Sequence, residues 1–466
     1  LYVLDEPTIG LHPQDSERLL GLLRQLAARG NTVLVVEHDR TVIRGADHII
    51  DLGPEAGEHG GRLMVEGPLE DILACKESLT GHYLNARPPT SAREHLARHR
   101  RELGREPWAV ELANRPKVRI VGARAHNLRG IDVEFPHQCL VAVSGVSGSG
   151  KSTLIENVLY GTYQRSRGVA DAEPGANDGL FGLEVFGDVT LVDQSPLGRS
   201  SRSNPVTYLK IYDEIRKLLA ATPAAKAQRI EAGHFSFNVD RGRCPACLGT
   251  GVLEVDMQFM APVVVTCDDC QGRRFQKGVL AVTHRGKNVA EILDLTVGEA
   301  IDFFADHKRI VRRLEVLSEV GLGYLRLGQP TATLSGGEAQ RLKLAAFLDR
   351  PAHEPAHLFL FDEPTSGLHL SDIDRLYGTL RRLVGRGDSV VIVEHNEDLL
   401  ARADWIVDLG PGGGRHGGDV LYSGPLEGFL EGVTSPTADE LRRHLRWPPP
   451  VAASHGPQPA AAPSLR

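Results

Sequence analysis

Three short apolar runs organise the chain: Leu140–Val143, Leu358–Phe361 and Val390–Val393. Continuous apolar runs of this length, closed by turn or charged residues, predict strands buried on both faces, as in a parallel sheet with helices on either side. Further strands are predicted around Val118 and Ile131, a helix from Lys151, and helices across Thr296–Val320. From Leu358 onward strands and helices alternate, so the fold class is α/β with a parallel-sheet core.

Part of this pattern occurs twice. Residues 1–73 repeat residues 358–430 at a constant offset of 357 without a gap. LYVLDEPTIGLH matches LFLFDEPTSGLH, VLVVEHDRTVIRGADHIIDLGP matches VVIVEHNEDLLARADWIVDLGP, and GGRLMVEGPLEDIL matches GGDVLYSGPLEGFL. Such a register marks two copies of one unit. The first copy reads as strand, helix, strand, helix, then short strands near Ile49 and Leu63. The chain opens inside a strand, with Leu rather than Met, so the expectation is a C-terminal portion of a longer protein.

Candidate chemistry gathers where strands end. GVSGSGKSTL, Gly145–Leu154, follows the first apolar run and fits G-x-x-x-x-G-K-[ST]. Gly145, Gly148 and Gly150, with Ser147 and Ser149, let backbone N–H groups turn inward on phosphates, and the helix opening at Lys151 adds the positive end of its dipole. Lys151 is placed to reach the β- and γ-phosphates, and Ser152, followed by Thr153, to hold Mg²⁺. The run Leu358–Phe361 ends in Asp362, expected to hold magnesium through water, and Glu363, expected to polarise the attacking water. Val390–Val393 ends in Glu394-His395, with the His395 imidazole expected at the γ-phosphate. Gln194, in VDQSPLGRSSRSNP, ends a strand in the same manner and is a candidate magnesium or water sensor. By the repeat, Asp5, Glu6 and His38 take the roles of Asp362, Glu363 and His395 in the first copy. In LSGGEAQRLKLA, Ser335 is the expected N-cap of a helix opened by Gly336, Gly337 and Glu338, an anion site. Together these motifs resemble the ATP-binding-cassette (ABC) ATPases, in which the signature sequence of one cassette closes on nucleotide held by the Walker motifs of another.

CPACLGTG and CDDCQG set Cys244, Cys247, Cys267 and Cys270 in a CxxC-x19-CxxC pattern. Four thiolates in two knuckles suit tetrahedral zinc, with rubredoxin-like iron as the alternative; four protein ligands leave no open position, so the site is structural. Cys75 and Cys139 are plain thiols, and the six cysteines fit a reducing cytoplasm rather than a disulfide framework.

A length of 466 residues suggests about three domains. No run of eighteen apolar residues and no secretory signal occur, so a cytoplasmic protein with no membrane association is expected. The net charge of −7 confines any nucleic-acid contact to local patches. Candidates are Arg199 and Arg202 after Gln194, Arg241 and Arg243 before the first knuckle, and Arg273, Arg274 and Lys277 after the second, with phosphates as their natural partners.

The order of P-loop, DQSPLGRSSRSNP, FSFNV-x-x-GRC, CxxC-x19-CxxC, GLGYLRLGQP, TLSGGEAQRLKLA and DEPTSGLH resembles the UvrA family, the damage-sensing ATPases of bacterial nucleotide excision repair, from Leu1 to about Leu445. The resemblance implies a P-loop ABC-type cassette at 117–161 and 287–445, with a helical signature region and an insertion at 162–286 carrying the zinc module. The end of a first cassette at 1–86 and a linker at 87–116 precede it, and a disordered tail at 446–466 follows. It also implies ATP hydrolysis with ATP, Mg²⁺ and Zn²⁺ as cofactors, a homodimer, and double-stranded DNA, especially damaged DNA, as partner. A UvrB-type helicase would dock through a preceding half absent from this sequence. A shorter type of paralogue, associated with self-resistance to DNA-binding drugs, lacks that docking domain, and these residues do not separate the two; a DNA-binding fragment with incomplete catalysis is a further alternative. A transporter's energising subunit gives no reason for the cysteine insert or the tandem copies.

Overall fold

The computed structural model describes residues 1–54, 60–85, 108–193, 202–255, 263–348 and 354–447, with Ser195, Leu197, Met257 and Arg350. Gln194, Arg199, linker residues 87–107 and tail residues 448–466 lie outside the described residues. In the first repeat, β1 (Tyr2–Asp5) and β2 (Val33–Val36) pair in parallel across the helix Pro13–Ala28, and β3 (Ile49–Gly53) and β4 (Arg62–Gly67) form an antiparallel pair. There follow β5 (Lys117–Ala123), β6 (Ile131–Pro136), β7 (Leu140–Gly145), β8 (Gly179–Phe181) and β9 (Asp188–Val192). β10 (Val252–Val255) and β11 (Val263–Thr266) make a hairpin between the two cysteine knuckles, and β12 (Thr283–His284) pairs with β13 (Lys287–Asn288). The second repeat supplies β14 (His357–Asp362), β15 (Ser389–Val393), β16 (Trp405–Gly410) and β17 (Asp419–Pro425).

The main sheet runs β17-β16-β7-β15-β14-β9, parallel throughout except for the antiparallel edge strand β17. The apolar runs therefore lie at its centre, and every residue of β7 and β15 is buried. The helix Leu370–Gly385 packs against one face, while the antiparallel sheet β6-β5-β8 and the π-helical turn Thr153–Tyr160 close the other.

The stretch between P-loop and cysteine module divides differently from the sequence expectation. β8 pairs with β5, and β9 extends the main sheet beside β14, so residues 179–192 belong to the cassette's sheets. The turn-rich composition of Asp171–Gly182 conceals a three-residue strand. The chain leaves the sheet only after Val192, and Phe235, Phe237 and Phe275 beyond it still share one apolar core with Leu342 and Leu376.

Candidate functional site: a P-loop facing its repeat

β7 carries the P-loop. Gly145 ends that strand at φ +132°, and a Cβ there would stand 2.1 Å from the Leu409 carbonyl oxygen, so only glycine lets the loop leave beside β16. Lys151 is buried and donates from Nζ to the carbonyls of Gly145 (2.8 Å) and Val146 (3.1 Å). Burial pulls its pKa down, against the pull of Glu363, Asp408 and Asp362. Ser152 is exposed at the helix start, followed by half-buried Thr153.

β14 brings Asp362 and Glu363 to the same end of the sheet as this loop. Burial first, then the charges of Asp362 and Glu394, push the Glu363 carboxyl up to about 7. Asp362 is also raised by burial, and its Oδ1, like Ser149 Oγ, is buried without a hydrogen-bond partner among the described residues. These atoms fit magnesium-bound water and a phosphate oxygen, because buried polar atoms ordinarily have partners. His395 Nδ1 lies 3.9 Å from Glu363 Oε1, and burial holds the imidazole below its usual pKa. The first repeat reproduces the pair, with His38 Nδ1 3.9 Å from Glu6 Oε1. Glu6 and Glu363 have φ of +44° and +45°. This left-handed backbone is strained for a glutamate, and such strain concentrates at functional sites.

The two repeats face one another. A cleft between them is lined by Gly10, His38 and Arg40 on one side and Glu363, His395 and Asn396 on the other. A Cβ on Gly10, at φ +72°, would stand 3.3 Å from Glu363 Oε1, so the loop after Glu6 approaches the opposite glutamate closely. Arg40 of the first repeat pairs with Asp398 of the second at 2.9 Å.

Several residues that sequence reasoning left without a role hold this arrangement. Fully buried Glu394 accepts N–H bonds from Thr365 (3.0 Å), His395 (2.7 Å) and Asn396 (2.9 Å), bracing the histidine turn against the loop after Glu363. Glu37 does the same with Thr8, His38 and Asp39. The repeat was the available signal, since it keeps Glu before both histidines. Gln340, on the signature helix Gly336–Leu348, donates to the carbonyls of Val192 (3.1 Å) and Asp362 (2.9 Å). At that helix's start Ser335 is the N-cap and forms a reciprocal cap with Glu338: the Ser335 N–H donates to Glu338 Oε2 (2.8 Å), and the Glu338 N–H to Ser335 Oγ (3.3 Å).

The four module cysteines converge, all Sγ atoms lying within 4.8 Å of one another. Cys244 and Cys267 stand 3.9 Å apart and Cys247 and Cys270 3.6 Å. Tetrahedral zinc with bonds of about 2.3 Å needs sulfurs about 3.8 Å apart, so the cluster fits a Cys₄ zinc site. Burial raises the Cys247 thiol, but N–H groups of Gly251 and Gly249 outweigh it and bring the thiol down to about 7. The basic candidates are less uniform. Arg243 is largely buried against Asp240, Arg241 pairs with Glu231 at 3.7 Å, Arg274 is half-buried, and Arg202 is half-buried. Arg273 and Lys277 are exposed.

A P-loop on a parallel-sheet strand, an Asp-Glu pair and a histidine on neighbouring strands, and a capped signature helix define an ABC-type ATPase cassette. No protein-family model matches the chain. The chain is 47% identical over 446 residues to UvrABC system protein A of Aquifex aeolicus, covering 96% of this chain and 46% of that protein. The Thermus thermophilus protein is 47% identical over 444 residues, covering 95% and 45%. The crystal structure of UvrA2 from Deinococcus radiodurans superposes with a TM-score of 0.84 at 44% identity, covering 96% of this chain and 52% of that one. The chain belongs to the UvrA family. It spans about half the length of the curated relatives it matches.

Proposed function

We propose that this chain acts as part of an ATP-hydrolysing, DNA-binding protein of nucleotide excision repair. The observation that carries the reading is the gathering of P-loop, Asp362, Glu363 and His395 at one end of the main sheet, where Glu363 and His395 line a cleft whose other wall is the repeated unit. In this reading Lys151 and the P-loop N–H groups hold the phosphates, and Ser152 and Asp362 hold Mg²⁺. Bound there, magnesium neutralises charge developing on the phosphoryl oxygens. Glu363 orients and deprotonates the attacking water, His395 contacts the γ-phosphate, and Gln194 senses metal or water. Asp5, Glu6 and His38 serve a second site, and Ser335–Glu338 closes on nucleotide held by a P-loop other than Gly145–Thr153.

The domains follow: the end of one cassette at 1–86, a linker to 116, a second cassette at 117–192 and 287–445, and an inserted zinc module between. Four thiolates give zinc no open position, so it staples the β10–β11 hairpin rather than reacting. Arg273 and Lys277 are exposed groups beside it suited to DNA phosphates, as is Arg241, which also pairs with Glu231, with Arg199, Arg202, Arg243 and Arg274 as weaker candidates. A homodimer, a UvrB-type helicase partner, a place in the SOS response and a cytoplasmic location complete the reading by family likeness.

The test is anisotropy of the zinc-loaded chain on a duplex with one bulky lesion and on its intact twin, with and without ATP, across a salt series. Tighter binding to the lesion duplex is expected, weakening with salt. A folded chain that binds nucleotide but neither duplex overturns the DNA-repair reading.

A further inference from the structure

The loop after each Asp-Glu pair ends in a histidine, His12 in the first repeat and His369 in the second, 357 positions apart. Neither belongs to the histidine turns at 38 and 395. His12 is 2% exposed. It caps the helix Pro13–Ala28, and its Nδ1 accepts from the Gln14 N–H at 3.3 Å. The ring proton is thereby assigned to Nε2, which stands 3.3 Å from Thr437 Oγ1 in the second repeat. His369 makes the reciprocal contact, its Nε2 standing 3.4 Å from Thr80 Oγ1. Thr80 and Thr437 are themselves 357 positions apart, so the repeat continues past residue 73 as a crossed pair of contacts.

Each threonine belongs to a buried corner. Thr80 donates to Asp51 Oδ1 at 2.7 Å and Ser78 to Asp51 Oδ2 at 2.6 Å. In the other corner Asp408, 1% exposed, accepts from Ser144 on Oδ1 at 2.8 Å, while its Oδ2 is buried with no hydrogen-bond partner among the described residues and the Ser435 and Thr437 hydroxyls lie beside it. Ser144 is the residue immediately before Gly145, so this corner stands under the P-loop. The backbone around His12 touches the loop from above: the His12 N–H donates to Ser147 Oγ (3.2 Å), and Ser147 Oγ donates to the Gly10 carbonyl (3.3 Å).

We propose that His12 is a positioning residue, fastening the first repeat's loop to the second repeat through Thr437, which lies beside the Asp408–Ser144 pair, so that this line of polar groups sets the shape of the P-loop for nucleotide. His369 makes the matching fastening of the second repeat's loop to the first repeat, through Thr80 and Asp51. The chain is directional. His12 Nε2–H donates to Thr437, whose hydroxyl is left to turn towards the unpartnered Asp408 Oδ2, and removing His12 or the Thr437 hydroxyl takes away a partner from a buried polar group. The inference rests on the nucleotide reading of the P-loop.

The test is a double-mutant cycle on the whole chain, titrating a fluorescent ATP analogue and recording the melting temperature of each variant. Failure of the unsubstituted chain to bind the analogue would sink the nucleotide reading itself, separately from this inference. H12A and T437V should each weaken binding about three- to tenfold, and the double variant should be no weaker than the worse single by more than about twofold, because both cut one chain. T437S, which keeps the hydroxyl, should bind as the unsubstituted protein does. H12Q, which keeps an N–H donor, should recover part of the loss and serves if H12A does not fold. Losses that multiply, an unchanged affinity in folded H12A, or T437S as weak as T437V would overturn the proposal.

Discussion

The two repeats have nearly the same sequence grammar and opposite surroundings. β14 and β15 are buried along almost their whole length, whereas β1 is exposed at three of its four residues and β2 alternates between half-buried and exposed, with Val3 63% and Val36 54% exposed. The difference lies in the neighbours. β15 stands between β14 and β7, and β14 between β15 and β9; among the described residues β1 and β2 pair only with each other. An apolar strand run therefore states what a strand needs on its faces and edges, and only its partners decide whether it gets it. The two Glu-His pairs follow suit. Side chains of Glu363 and His395 are each 18% exposed, those of Glu6 and His38 32% and 29%.

The largest effect should separate the two glutamates. In a chain that hydrolyses ATP, Glu363→Gln should lower turnover by about 10²–10⁴-fold while nucleotide still binds, because the amide keeps the shape but cannot accept the water's proton. Glu6→Gln should leave the turnover of this chain within about threefold, since β1 has no P-loop strand beside it among the described residues. Steady-state phosphate release with a parallel binding titration reads both. Equal losses at the two positions would mean that both repeats carry functional sites.

The sequence made the central sheet legible because its strands are continuous apolar runs ending in residues of special type, and the Cys₄ cluster was legible because its spacing admits few readings. Two things were hidden. The three-residue strand β8 lies in a segment of Gly, Asn and Asp whose propensities favour turns, and pairing with β5 overrides them. The crossed contacts of His12 and His369 need two distant segments to meet, which no local pattern encodes. The repeat register could have exposed them, since it aligns histidine with histidine and threonine with threonine.

A stability comparison at matched positions sharpens the contrast. Leu360 of β14 is fully buried, and its counterpart Val3 is exposed. Leu360→Ala should cost about 2–5 kcal/mol through lost burial and a residual cavity. Val3→Ala should stay within about 0.5 kcal/mol. Denaturant midpoints decide the matter, and a comparable loss at Val3 would reveal that another segment covers β1 in solution.

The smallest effect concerns the two loop histidines. Burial, then the charges of His395 and Lys151, lower His12 from 6.5 to about 4, against the raising pull of Asp15. Between those values the unfolded chain binds a proton that the folded chain does not, so the stability contribution is complete above pH 6.5 and is lost as pH falls towards 4. The full shift corresponds to at most about 3 kcal/mol. His12→Gln should therefore flatten the fall in melting temperature between pH 6.5 and 4. His369 is also lowered by burial, but Asp372 and Asp51 pull it upwards, and its side chain is only half-buried. His369→Gln should flatten the same profile less. Parallel profiles for His12→Gln and the unsubstituted chain would mean that His12 takes up its proton in the folded state as readily as in the unfolded one, which a buried neutral imidazole held between the Gln14 N–H and Thr437 does not do.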